Sequence, residues 1–367
     1  MRKIPVAALK PGMKVARPIY GSSGYVLIQQ NVVLSRRYIE QLRQLGVPSL
    51  YIDDGLLDGY QIDDVVTDVT RMNAISRVRD LVTDLEQPNP ASRIMLRTKE
   101  VARNVDQIVS ELMSQPDLMV NLIDIRLEDD YLFGHSVNVC VLSLITGISA
   151  GLNNKQLVHL GVGAILHDVG KGVLPRNILY KPGPLTNTEF SVVKTHTSEG
   201  YNILRDMTHA RDVAHEHHER YDGSGYPNGK KGDAISYNAQ IASVCDVFDA
   251  VTSDRVYRAA YPIHEAVELI AGSGNQAFSL TLIQKFLENI AAYPTGSIIE
   301  LSDGRIGIVI DTPRGFCQYP RVKLLYDQDT QPVTTPIEVH TLDDPSLIVK
   351  RVLPEQEIAK LRASRAR

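Results

Sequence analysis

The sequence is short of three things, and each shortage narrows what the chain can be. It has only three cysteines, Cys140, Cys245 and Cys317, far apart and without a C-x-x-C pair. That argues against a zinc ribbon or a disulfide framework and fits a reducing compartment. It has no excess of one charge, since the formal net charge is −4. No global field therefore draws a nucleic acid polymer, although one local pocket can still be positive enough for a small phosphate ligand. It also lacks long hydrophobic runs. Met1 to Tyr20 is broken by Pro5, Pro11 and Pro18 and by Lys10, Lys14 and Arg17. It has no apolar core of the kind a signal peptide needs. The longest apolar stretch, Val137 to Ala150, is shorter than a bilayer requires and reads as a buried helix, so no membrane insertion is expected. With 43% hydrophobic and 22% charged residues in 367, the chain reads as a cytoplasmic globular protein with room for two or three domains.

The pattern of apolar residues divides it. Residues 1–68 read as a small mixed α/β domain, with strands at Tyr25–Ile28 and Leu50–Ile52 and a helix from Ser35 to Leu45 that Gly46 ends. The acidic residues Asp53, Asp54, Asp58, Asp63 and Asp64 lack the spacing of a calcium loop. Residues 69–97 read as a linker helix, with Ile75, Val78, Val82 and Leu85 at helical spacing before Pro88 and Pro90. A partner copy could pack on it, giving a homodimer or a signalling-protein contact, but so short a stripe more simply lies on its own domain. Residues 98–292 read as helix after helix, with stripes such as Val101, Val105, Ile108, Val109 and Leu112. Residues 293–367 read as a small β module with a hairpin at Ser302-Asp-Gly304, then a polar, basic tail from Glu355 that is expected to be solvated. The expected fold class is mainly α.

Most of the histidines fall in the helical stretch, several beside carboxylates. His167-Asp168 closes an apolar helix, Leu157 to Leu166. A carboxylate there must have a partner, because an unpaired buried charge is costly, and a divalent metal serves both side chains. His217 and His218 are adjacent. On a helix they would point about 100° apart, so each could hold a different ion of a close pair, the plainer alternative being one core and one solvated histidine. His135, His196 and Asp246 are individually unremarkable, and Asp249 and Asp254 compete with Asp246 on spacing alone.

Taken in order, these segments resemble the HD-GYP branch of the HD-domain metal hydrolases. They are His135-Ser136, His167-Asp-Val-Gly-Lys171 with Lys181-Pro-Gly-Pro-Leu185, His196, His217-His-Glu-Arg-Tyr-Asp-Gly-Ser-Gly-Tyr-Pro227 and Asp246-Val-Phe-Asp-Ala-Val-Thr-Ser-Asp-Arg255. The N-terminal region is similar to a small domain of unassigned function often found before such domains. The resemblance implies an all-helical HD-type metal hydrolase domain. It also implies metal ligands at His135, His167, Asp168, His196, His217, His218 and Asp246, with Asp168 bridging two divalent transition metals. Lys171 would act beside them on a phosphate or the leaving oxygen. Tyr226, Arg255 and Arg258 would touch the substrate. His159, His209, His215, His264 and His340 match no ligand position. Members with three metals carry a glutamate where this chain has Tyr131, and Glu128, Asp129 and Asp130 are out of register, so two ions are expected.

The expected reaction is hydrolysis of cyclic di-GMP to pGpG, with continuation to GMP left open, by a metal-activated hydroxide. The ligands are imidazole and carboxylate without thiolate. These suit iron, manganese, cobalt, nickel or zinc, and the resemblance favours iron or manganese. The alternatives are a hybrid cyclic GMP-AMP hydrolase, a catalytically weak cyclic-dinucleotide sensor, and a hydrolase of mononucleotides or guanosine polyphosphates. The intact Gly225-Tyr226-Pro227 argues against the last.

Overall fold

The computed structural model describes the chain apart from residues 22–24, 61–63, 86, 88–90, 116–118, 121–130, 254–259 and 365–367 and the side chains of residues 91, 131, 363 and 364. The chain opens with strands β1 (Arg2–Pro5), β2 (Lys14–Val15), β3 (Ile19–Tyr20) and β4 (Val26–Ile28), helix α1 (Arg36–Gln44) and strand β5 (Ser49–Asp53). β5 lies between β1 and β2, antiparallel to both, and β3 pairs with β4. The Ser35 side chain accepts from the Tyr38 N–H, one of the orphan donors of the first turn of α1. Gly46, at φ 67°, ends the helix in the left-handed region where a side chain is strained. α1 buries Ile39 and Leu42 in a cluster with Ile4, Leu50 and Ile52. Some of the acidic residues nearby are matched with basic ones. Asp54 pairs with Arg2 and Arg362, and Asp64 with Arg17.

Helices follow: α2 (Asp68–Leu85), α3 (Ala91–Met113), α4 (Tyr131–Ser149), α5 (Asn154–Ile165), α6 (Arg176–Leu179), α7 (Asn187–Lys194), α8 (His196–Ile203), α9 (Thr208–Glu216), α10 (Tyr237–Thr252), α11 (Ile263–Ala271) and α12 (Leu280–Leu287). α4 is the spine of this part, packed by α2, α5, α10 and α12. The sequence had placed its apolar run at Val137–Ala150, too short for a bilayer. The helix is longer, and Leu132–Ser149 has the length and composition to cross a membrane. Yet 72% of that window is buried inside the fold, because Val137, Val139, Cys140, Leu144 and Ile145 all face neighbouring helices. Fully burying such a side chain contributes roughly 1.5–3 kcal/mol. α2 behaves as the simpler expectation had it. Its Ala74, Ile75, Val78 and Leu81 are buried, and it packs on α3 and α4.

The C-terminal part has β6 (Ile298–Leu301), β7 (Ile306–Asp311), β8 (Arg321–Tyr326), β9 (Glu338–His340), β10 (Val349–Val352) and helix α13 (Glu355–Ser364). The sheet order is β10-β6-β7-β8-β9, with β6 and β7 forming the expected hairpin. The tail from Glu355 is not a solvated end. It is a helix whose Ile358 is buried with Leu57, Ile298 and Leu353, while Glu355 binds Arg2 and Arg362 binds Asp54. Those partners are far away in sequence, so composition alone could not reveal them. The chain thus forms two compact units. One joins Met1–Asp64 to Ile290–Arg367, and the other consists of Val65–Leu118 and Tyr131–Asn289. The segment expected as a linker helix counts within the helical unit.

Candidate metal centre

Five elements of the helical unit deliver their polar side chains to one buried place. α4 carries His135 one turn from its start. α5 stops at Ile165, so His167 and Asp168 leave its end. His196 is the first residue of α8, His217 and His218 follow the last residue of α9, and Asp246 sits on α10. The short 3-10 turn Val169–Val173 lies against α8 so closely that a side-chain carbon at Gly170 would strike the His196 carbonyl and the Gly200 amide. Only glycine allows this approach, which keeps Asp168 and His196 together.

Asp168 is the centre of the arrangement. Its Oδ2 lies 3.3 Å from His167 Nε2 and 4.0 Å from His135 Nε2. Its Oδ1 lies 3.4 Å from His196 Nε2 and 3.7 Å from His217 Nε2. Each carboxylate oxygen therefore faces a different set of imidazoles. Two groups have ligand atoms within 4.8 Å of one another: Asp168 with His196, His217 and His218, and His135 with His167 and Asp246. None of His159, His209, His215, His264 and His340 joins either group. His159 and His209 stack on each other instead, with centroids 4.1 Å apart.

The rings are held so that Nε2 points inward. The Nδ1 atoms of His167, His196 and His217 hydrogen-bond the carbonyls of Ala164 (2.7 Å), Val193 (2.6 Å) and Ala214 (3.0 Å). A Nδ1–H donated to a carbonyl leaves Nε2 with a lone pair, the tautomer that a metal needs. His135 differs, because its Nδ1 lies 2.7 Å from Asp249 Oδ2 and its Nε2 lies 3.0 Å from Asp246 Oδ1. Burial opposes charge on His135, but the hydrogen bonds it donates to both carboxylates outweigh it and raise its pKa to about 9. Burial lowers His196 to about 3, and it also lowers His217 and His218. Burial would raise Asp168 and Asp246. The Lys171 charge and His167 hold Asp168 well below the usual carboxylate range instead, and His135 does the same for Asp246.

Two buried atoms, His167 Nε2 and Asp168 Oδ1, have no hydrogen-bond partner. Such orphans are rare and costly in a protein interior, and both point into the cluster. Lone pairs without donors, on imidazole and carboxylate, fit a divalent cation.

One expectation is corrected. The side chains of His217 and His218 are not turned apart; the ligand atoms of both fall in the group with Asp168 and His196. His217 keeps helical φ and ψ just past the end of α9, yet the two rings tilt together with centroids 4.1 Å apart, because side-chain torsions bring them back to one place.

Lys171 Nζ lies 2.5 Å from Asp168 Oδ2. Tyr226 stacks on His218, with centroids 4.7 Å apart at 29°. Arg255 and Arg258 lie outside the described residues, as do Glu128, Asp129, Asp130 and the side chain of Tyr131. The sequence reading missed two residues that build the site. Asp249 orients His135 and also accepts from Asn138 Nδ2 at 3.0 Å, and Asn138 in turn accepts from Arg71 at 2.7 Å. The signal was available, because Asp246 and Asp249 are three apart on one helix and so share a face. Glu219, 2% exposed, accepts the backbone N–H of Asn228 and of Lys230 and so clamps the loop that carries Tyr226. Within that loop a side-chain carbon at Gly225 would collide with the backbone of His218, Glu219 and Arg220.

Residues 118–279 match the family model described as HD domain, and residues 298–361 match that of a KOW domain associated with HD domain. A cyclic di-GMP phosphodiesterase of Pseudomonas aeruginosa is 35% identical over 226 residues, 60% of this chain and 54% of that protein. The 3'3'-cGAMP-specific phosphodiesterase 1 of Vibrio cholerae is 35% identical over 166 residues, 44% of this chain and 38% of that protein. Among solved structures, Bd1817, an HDGYP protein of Bdellovibrio bacteriovorus, aligns with a TM-score of 0.45 at 17% identity, over 77% of this chain and 97% of that one. The chain spans about half the length of the first of these curated relatives and less of the second. The buried histidines and aspartates thus belong to an HD domain, and the chain carries the Gly-Tyr-Pro signature of its HD-GYP branch.

Proposed function

We propose that the chain is a metal-dependent phosphodiesterase that hydrolyses cyclic di-GMP to linear pGpG in the cytoplasm. The observation that carries this reading is the split of Asp168, with one oxygen facing each of two histidine-rich pockets. His135, His167 and Asp246 would hold one divalent ion, and His196, His217 and His218 the other, with Asp168 between them. Bound there, a pair of ions supplies acidification of water and neutralisation of phosphate charge. Iron or manganese is the proposed pair.

The chain's own residues do the rest. Hydrogen bonds donated by Nδ1 of His167, His196 and His217 fix those three rings, so their Nε2 lone pairs need no reorganisation. Water adds to phosphorus and the sugar 3′-oxygen leaves. Lys171, beside Asp168, is placed to steady an anionic oxygen on the phosphate or on the leaving group. Tyr226, fixed against His218, and Arg255 and Arg258 grip the phosphates and bases, with the guanidinium fork suited to phosphate. A second reading, hydrolysis of cyclic GMP-AMP, is supported by the Vibrio cholerae relative, as similar in identity as the Pseudomonas one.

The test is turnover of a panel of cyclic dinucleotides by anaerobically prepared protein whose metal content is assayed. Cyclic di-GMP should be cleaved, and His167→Ala and Asp168→Ala should abolish cleavage. Metal-loaded protein that cleaves no cyclic dinucleotide contradicts the proposal, and faster cleavage of cyclic GMP-AMP selects the second reading.

A further inference from the structure

Beside the metal centre lies a group of side chains that the motif residues do not account for. Phe190 and Lys194 stand four apart on α7, so they share one face of that helix. The Phe190 ring meets the Tyr226 ring edge-on, with centroids 6.5 Å apart at 80°. Lys194 Nζ lies 4.8 Å from the Phe190 centroid and 5.0 Å from that of Tyr226. Tyr226 in turn stacks on His218. Aromatic surface therefore runs without a break from one metal pocket outward, with a cation set over both outer rings. Phe190 is 45% exposed.

The plain alternative is a surface cation–π contact that stabilises the fold a little. A single exposed aromatic needs no explanation. Continuity with the site decides otherwise. Tyr226 is held from below by His218, and its loop is clamped by Glu219. The outermost ring, on a separate helix, is left open to solvent. An apolar ring face beside a positive charge, one step from a site that handles phosphate, matches a nucleobase with an anionic phosphate next to it.

We propose that Phe190 and Lys194 form, with Tyr226, a shelf for one half of the substrate. A base stacks on Phe190, and Lys194 faces the phosphate that is not being cleaved. This rests on the proposed reading of the substrate as a cyclic dinucleotide. It adds a specificity element on α7, separate from the metal ligands.

The experiment uses metal-loaded full-length protein, wild type, Phe190→Ala, Phe190→Trp and Lys194→Ala, with metal content measured for each. Cyclic di-GMP binding is followed by calorimetry and turnover by product analysis. Inorganic phosphate, which has no base, serves as a competitive inhibitor. Phe190→Ala should weaken cyclic di-GMP binding and raise KM about 10-fold, within the range of one lost base stack. Its metal content and its phosphate inhibition constant should stay unchanged, and Phe190→Trp should restore binding. Lys194→Ala should weaken binding and flatten its dependence on salt. Unchanged cyclic di-GMP affinity in Phe190→Ala overturns the shelf, and so does an equal loss of phosphate binding or metal. Wild-type protein that binds cyclic di-GMP without cleaving it contradicts the proposed activity, yet still tests the shelf through the affinity of Phe190→Ala. Wild-type protein that neither binds nor cleaves any cyclic dinucleotide overturns both.

Discussion

The two pockets on either side of Asp168 are built differently. The one with His135, His167 and Asp246 is rich in carboxylate, since Asp246 and Asp249 both reach His135. Their hydrogen bonds overcome burial and keep a proton on His135 up to about pH 9. Among the described residues, the pocket with His196, His217 and His218 has no carboxylate in its group beyond Asp168, and burial keeps its imidazoles neutral. The second pocket thus presents lone pairs as it stands. The first must give up a proton before His135 can serve through Nε2. Two neighbouring sites can share a ligand and still load metal in different ways, because the surrounding charges set the state of each ring.

The largest expected effect comes from removing what the pockets share. Asp168→Ala should lose metal from both and drop turnover to background, whereas His135→Ala should lose metal from one. Metal analysis of the two variants checks this, and equal loss in both would end the distinction between the pockets. Next comes Asp249→Ala, which leaves every ligand in place but frees the His135 ring. Loss of such an orienting partner costs about 10–100-fold in metal affinity or activity. The loss should be confined to one ion per chain, read by competition with a chelator. Loss of both ions would mean that Asp249 supports the whole fold of the site.

A smaller effect is expected at the substrate end. Tyr226→Phe, Arg255→Ala and Arg258→Ala should each raise KM and leave metal content intact, with a charge-assisted contact worth about 1.5–3 kcal/mol. If Arg255→Ala loses metal and keeps substrate affinity, its assignment is wrong.

The smallest effect is on metal-free protein, and its sign differs between the pockets. His135 has a pKa raised above that of the unfolded chain, about 6.5. Its contribution to stability is complete below that pH and disappears as pH rises to about 9. His196 is depressed to about 3, so its penalty is absent above about pH 6.5 and grows as pH falls towards 3. Denaturant unfolding of metal-free protein should therefore show stability falling on both sides of near-neutral pH. His135→Gln should remove the alkaline arm, and His196→Gln should shrink the acid one, to which His217 and His218 also contribute. A single arm that responds to both variants would show the pockets to be electrostatically one.

How much of this was legible in the sequence depends on how far apart the interacting residues lie. The helical domain, the β hairpin after Ser297 and the ligand motifs could be read, because each is a local pattern. So could the packing of α2 on its own domain, from one stripe of apolar residues. The convergence of His217 and His218 on one side of Asp168 could not. It depends on the side-chain torsions that turn the two neighbouring rings together, which a helical repeat does not report. Asp249 was set beside Asp254 as one acidic residue among several, since only the approach of α4 to α10 gives it His135 as a partner. The last helix was read as a solvated tail because its partners, Arg2 and Asp54, lie at the other end of the chain.

The measurement that bears most directly on this account is anomalous scattering from crystals of protein prepared without oxygen or chelators, with metal analysis of the same sample. Two ions per chain are expected, one against each oxygen of Asp168, the first among His135, His167 and Asp246 and the second among His196, His217 and His218. A single ion, a third tightly held ion near residue 131, or His217 and His218 bound to different ions would contradict this.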